Sequence, residues 1–197
     1  MNRIFFISLF LFSSFIASAQ SFMHSYGAAI TAVHKPKILE NGFTKQDAID
    51  ILQTSLCYFP RFNFIESDNS SVSVGAPVSI GIGIASSVYG EDAGLSFAYD
   101  LPIVLDYNIG CKSTTDNENN FGGYLGLGFG YNHFAISGSR YSNVKGNSYG
   151  PILRAGIRFK LPQESSNDHG VSVGFFYKPG LETEKWRSYG AHVLLDL

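Results

Sequence analysis

From Leu95 to Gly110 the chain alternates with a period of two. One row reads Leu95, Phe97, Tyr99, Leu101, Ile103, Leu105, Tyr107 and Ile109. The other reads Ser96, Ala98, Asp100, Pro102, Val104, Asp106, Asn108 and Gly110. In a strand these rows lie on opposite faces. The same split recurs along the chain and predicts eight strands, at about Ser21–Ala32, Thr54–Ile65, Val72–Ala85, Leu95–Gly110, Phe121–Asn132, Pro151–Leu161, Gly170–Lys178 and Ser188–Leu197. Most are longer than the roughly 5–6 residues of an ordinary strand and match the about 9–11 that a tilted strand needs to cross a bilayer. Long outer loops are expected at about Val33–Gln53 and His133–Ser148, with a short helical turn at Lys45–Leu52 (KQDAIDIL) inside the first. Pro60, Pro77 and Pro102 fall in mid-strand and each removes a ladder donor, so bulges or weakened pairing are expected there.

Alternation alone leaves open which face is outside. A soluble barrel or sandwich also alternates, with its polar row in water. Here the second row is mainly Gly, Ser and Ala, which suits the crowded interior of a small barrel better than a wetted surface. The bulky row suits lipid. The expected fold is therefore all-β, an eight-stranded antiparallel up-and-down transmembrane β-barrel. Composition agrees: 21 glycines and 15% aromatic residues accompany only 15% charged residues, against roughly 25% in a typical soluble domain. With up-and-down strands, Phe22, Phe62, Phe64, Tyr107, Phe121 and Phe159 fall near the lower rim. Tyr99, Phe129, Tyr131, Tyr177 and Tyr189 fall near the upper rim, as two interfacial girdles would.

Asn2 and Arg3 precede an apolar run from Ile4 to Ile16 and then Ala17-Ser18-Ala19. This is the pattern of a cleaved export signal over residues 1–19, followed by a single barrel domain over 20–197. A net charge of −2 offers no basic excess for nucleic acid. Cys57 and Cys111 make no disulfide framework and no metal spacing, and whether they are joined stays open. No motif for a cofactor or metal is present.

The leader, the eight alternating strands and the stretches YFPRFNF (Tyr58–Phe64), SVSVGAPVSIGIG (Ser71–Gly83), LPIVLDYNIG (Leu101–Gly110), GYLGLGFGYN (Gly123–Asn132) and GPILRAGIRF (Gly150–Phe159) resemble the small outer-membrane β-barrel proteins of Gram-negative bacteria, above all the Bacteroidota-type ones. The resemblance implies an outer-membrane address, contact with outer-membrane lipid and lipopolysaccharide, insertion by the barrel-assembly machinery, and a monomer. It also implies an assembly signal in the last strand, here Tyr189, Val193, Leu195 and Leu197. The family often ends in Phe or Tyr, and this chain ends in Leu197.

Chemistry would sit in the lumen. Its charged members are Arg61, Asp100, Asp106, Arg154, Arg158, Lys160 and Asp196, with Lys178 nearer a rim. Unpaired charges there would be costly, so an ion network is expected, centred on Arg61, Asp106 and Arg158 with Asp100–Arg154 above it. The inward glycines Gly122, Gly126, Gly128 and Gly130 clear space for an arginine to cross. Such a network is either a plug or a packed polar core. His34 and His133 fall in the long outer loops near Ser137, Ser139 and Ser142, which a lipid-modifying enzyme could use, and no nucleophile elbow or acid–His pair is visible beside them. No catalytic residue is assigned. His192 reads as a hydrogen-bonded lumen filler. The expected role is structural, or surface interaction through the outer loops. A narrow solute pore and a lipid-modifying enzyme are the alternatives.

Overall fold

A computed structural model describes residues 21–36, 38–40, 43–46, 48–87, 93–138, 144–162, 169–182 and 185–197. The expected export signal lies outside the described residues. The elements are β1 (Ser21–Lys35), β2 (Ile38–Glu40), β3 (Phe43–Gln46), β4 (Ile49–Ser67), β5 (Ser70–Gly75), β6 (Val78–Ser87), β7 (Ala93–Gly110), β8 (Phe121–Ser137), β9 (Val144–Lys160), β10 (Gly170–Pro179) and β11 (Arg187–Asp196). Strands β1, β4, β5/β6, β7, β8, β9, β10 and β11 pair antiparallel with their sequence neighbours. Pairing of β1 with β11 closes the ring. Counting β5 and β6 as one interrupted strand, the ring has eight members. Closure leaves no sheet edge, as a bilayer demands.

The two rows separate as the alternation requires. On β7, Leu101 is 50% and Ile103 65% exposed, whereas Val104 is 1% and Asp106 0%. The outward face of the ring is bulky and apolar throughout its middle, which overturns the soluble alternative: water would meet Leu56, Ile82, Leu125, Leu153 and Phe175, all exposed. Aromatic pairs stand at both ends of this band. Phe22–Phe62 and Phe121–Phe159 lie 4.7 and 5.4 Å apart at one end, and Tyr99–Tyr131 6.2 Å apart at the other.

Two local expectations fail. Lys45 and Gln46 belong to β3, and Ile49–Leu52 opens β4 rather than a helical turn. Ile49 and Ile51 both point into the lumen while Asp50 and Leu52 point out, so period two governs here as well. The first and third outer loops are correspondingly shorter than expected, because β1, β4, β8 and β9 continue into them. Position Val33 pairs Ile51, and Ile136 pairs Val144.

The prolines divide. Pro60 and Pro102 keep their register on one side, opposite His24 and Gly130, and on the other side both face residues 76–77, where pairing lapses as expected. Residues 76–77 interrupt the strand and separate β5 from β6. Register against β4 is the same on both sides of this break, with Arg61 opposite Gly75 and Tyr58 opposite Val78. The bulge on β4 falls instead between Asn63 and Ile65.

Candidate functional site: the lumen

The lumen is filled in three layers. The lower layer comes from a turn. At Gly110 (φ 69°) and Lys112 (φ 55°) the backbone takes left-handed conformations, and the Cys111–Asn120 turn bends back under the barrel. Such a φ is unfavourable for a lysine and persists where surrounding contacts hold it. Those contacts come from the wall. Arg61 Nη2 donates to the Lys112 carbonyl at 2.6 Å, and Arg158 Nη1 to the same oxygen at 3.3 Å. Asn63 Nδ2 and Ser71 Oγ donate to the Ser113 carbonyl at 2.9 and 2.6 Å. Ser113 is fully buried.

The middle layer holds the charges. Asp106, Gly126 and Arg154 are direct register partners on β7, β8 and β9. Arg154 Nη1 lies 3.7 Å from Asp106 Oδ2 across the glycine, where any Cβ would overlap the Asp106 carboxylate. Arg158 Nε lies 3.7 Å from Asp196 Oδ2, and Arg158 Nη2 donates to Asn108 at 2.9 Å. Ser25 donates to Asp196 at 2.5 Å. Both arginines also stack on Tyr124, at 4.7 and 4.8 Å. The Tyr124 hydroxyl meets His192 Nε2 at 2.6 Å. Its path crosses Gly156 and Gly174, which register places between the two residues.

The network expected around Asp100 differs. Lys178 Nζ contacts Asp100 at 2.7 Å, whereas Arg154 is directed to Asp106. Register explains this: across β8, Arg154 lines up with Asp106, six residues from Asp100. Lys178, fully buried, lies on the lumenal row near the upper end of β10. Arg61 contacts the Lys112 carbonyl and Met23 Sδ. Lys160 lies half-buried at the lower end of β9, one inward position below Arg158.

The upper layer is apolar. Trp186, from the β10–β11 connection, is completely buried among Val33, Ile49, Ile51, Ala98, Phe134 and Ile136. Its ring lies 4.2 Å from that of Phe134, with the Lys35 ammonium 5.3 Å above it. Its backbone N–H donates to Glu182 at 2.6 Å.

Sequence reasoning passed over Trp186, Tyr124 and the Lys112–Ser113 carbonyls. The glycines opposite Tyr124 were the available signal for one of them. Of the residues read as an assembly signal, Tyr189 and Val193 face outward and are exposed, and Leu195 and Leu197 are half-buried. Cys57 and Cys111 are free thiols. His34 and His133 are strand residues rather than loop residues. Asp50 meets His34 at 2.6 Å, an acid–His pair that the sequence did not reveal, and Asn147 meets His133 at 2.6 Å. Ser139 and Ser142 lie outside the described residues.

No protein-family model matches the chain. No curated protein matches it. Among solved structures, Neisserial surface protein A is similar over 91% of this chain and 97% of its own, at 14% identity and a TM-score of 0.50. Ail, the attachment invasion locus protein of Yersinia pestis, covers 89% of this chain and 97% of its own at 14% identity, with a TM-score of 0.45. The outer membrane protein OprG from Pseudomonas aeruginosa covers 89% and 92% at 13% identity, with a TM-score of 0.46. The first likeness concerns architecture, and it agrees with the closed ring and its apolar outer face: the fold is an eight-stranded antiparallel up-and-down transmembrane β-barrel.

Proposed function

We propose that this protein is a closed outer-membrane barrel with a structural or surface-interaction role, carried by its outer connections rather than by passage of solute. The observation behind this reading is closure at both ends. The Cys111–Asn120 turn is hydrogen-bonded to lumen side chains below, and buried Trp186 packs into the apolar layer above. Export through a leader at residues 1–19, insertion by the barrel-assembly machinery, and a monomer embedded in outer-membrane lipid and lipopolysaccharide belong to the same reading. A likeness to the Bacteroidota-type barrels rests on the sequence stretches alone.

Planar-bilayer recording tests it. The detergent-folded protein, with its barrel state checked by heat-modifiable gel mobility, is expected to be electrically silent. Discrete conductance steps from the unmodified protein would instead establish the narrow pore.

A further inference from the structure

On the outward face of the wall, near its upper end, four register partners line up across four strands: Ile82, Phe97, Ala135 and Lys145. Leu95 and Ser137 stand opposite each other in the next outward row above. Ile82, Leu95 and Phe97 are large and exposed. Ala135, between Phe97 and Lys145, is small, so the surface dips at β8. A groove of about 350 Å³ results, walled by these six residues. Such a volume lies in the range of about 300–1,000 Å³ that ligand clefts occupy.

The groove is apolar at one end and cationic at the other. On β6 and β7 the outward face stays apolar through Ile84 and Leu95. On β8 and β9 it has already turned polar at His133, Asn147 and Lys145. Barrel strands are tilted, so the edge of the apolar band crosses them obliquely, and the groove lies across that edge. Lys145 is exposed, and no carboxylate among the described residues pairs with it. Two residues along the same face, Asn147 Oδ1 meets His133 Nδ1 at 2.6 Å and accepts from the Tyr131 hydroxyl at 2.8 Å. Both contacts end on the amide oxygen, so neither uses the Asn147 amide N–H groups. The matching ligand has an acyl chain for Ile82, Leu95 and Phe97. It has an anionic group for Lys145 and further oxygens for Ser137 and Asn147.

We propose that this groove is a specific site for a phosphorylated acyl glycolipid, the lipid A part of lipopolysaccharide, with one acyl chain along Ile82 and Phe97 and a phosphate on Lys145. The proposal rests on the outer-membrane reading, which puts the upper ends of the strands in the lipopolysaccharide leaflet. A glycerophospholipid brings the same chain and charge with fewer oxygens around the phosphate, so it is the comparison ligand. Native mass spectrometry of the detergent-folded protein, titrated with diphosphoryl lipid A or with dioleoylphosphatidylglycerol, reads each Kd from the lipid adducts. The parent protein is expected to bind lipid A at least about tenfold more tightly than phosphatidylglycerol. Lys145→Gln should weaken lipid A binding about tenfold, the loss of one charge-assisted contact. Ala135→Phe, which fills the groove and leaves every charge in place, should weaken it by a similar factor. Arg187→Gln removes an exposed cation of β11 outside the groove and should change binding by less than about twofold. Heat-modifiable mobility confirms folding of each variant. Equal affinity for the two lipids would overturn the glycolipid as occupant. Parental affinity in Lys145→Gln or in Ala135→Phe would overturn the site, and so would an Arg187→Gln loss as large as that of Lys145→Gln. No readout here depends on conductance. Failure of the lipid site leaves an electrically silent barrel standing, and a conducting barrel leaves the lipid site standing.

Discussion

Gly126 shows how much one absent side chain decides. It stands between Asp106 and Arg154 in register, and a Cβ there would occupy the space of the Asp106 carboxylate. Gly126→Val is expected to separate the two charges while leaving both buried. Breaking a buried pair costs about 3–5 kcal/mol, and reversible urea unfolding in phospholipid vesicles measures it. Gly123 makes the matched control: it faces outward on the same strand, its Cβ position meets only the Gly156 carbonyl oxygen at 3.1 Å and no charged group, and its valine variant should shift unfolding far less. Cys111 offers a test outside the strands. Burial, then the nearby Asp196 carboxylate, pushes its thiol above the ordinary 9.0. The thiolate is the reacting form, so a raised pKa lowers its fraction at any given pH. At pH 8, iodoacetamide is expected to modify Cys111 in the folded protein much more slowly than in the urea-unfolded chain. Equal rates in a stopped-time mass-spectrometric assay would contradict this placement.

At the scale of elements, the lower turn carries more than connectivity. Two arginines and two other donors point at its Lys112 and Ser113 carbonyls, and a turn that merely joined β7 to β8 would leave those side chains without these acceptors. Replacing residues 112–120 by a tight Asn-Gly turn is expected to destabilise the barrel by about 1–3 kcal/mol for each buried donor left unsatisfied. It should also admit water from below, seen as faster hydrogen exchange of the β4 and β9 amides near Arg61 and Arg158. Interruption at residues 76–77 is a second element-scale feature. Three prolines were visible as threats to the ladder, but only Pro77 breaks a strand. Pro60 and Pro102 hold register with β1 and β8 on one side and face that break on the other. Which proline yields depends on its cross-strand partners, and those are set only when the strands pair.

For the molecule as a whole, the upper layer couples a connection to the barrel. Trp186 enters from the β10–β11 turn and packs against side chains of five strands. Trp186→Ala is expected to cost about 3–5 kcal/mol, in the range for removing a large buried aromatic. It should also abolish the blue-shifted emission that the buried single tryptophan gives to the folded protein. Emission at the wavelength of free tryptophan before unfolding would refute its burial. The eight strands, the sorting of their residues into two faces, and the lipid-facing character of the bulky row follow from the sequence alone. Each rests on a local rule: successive residues of a strand point to opposite sides, and the composition of a row tells its solvent. So do the inward arginines and aspartates and the glycines that make room for them. Pairing among those charges was decided by the tertiary structure, which joins Arg154 to Asp106 and Lys178 to Asp100. Register across two strands is a non-local quantity, fixed by the turns and by ring closure, and no periodicity within one strand records it. The same holds for the Cys111–Asn120 turn and Trp186. Both are connection residues with no alternating partner, and they become lumen-filling groups only because a closed ring has two ends to fill.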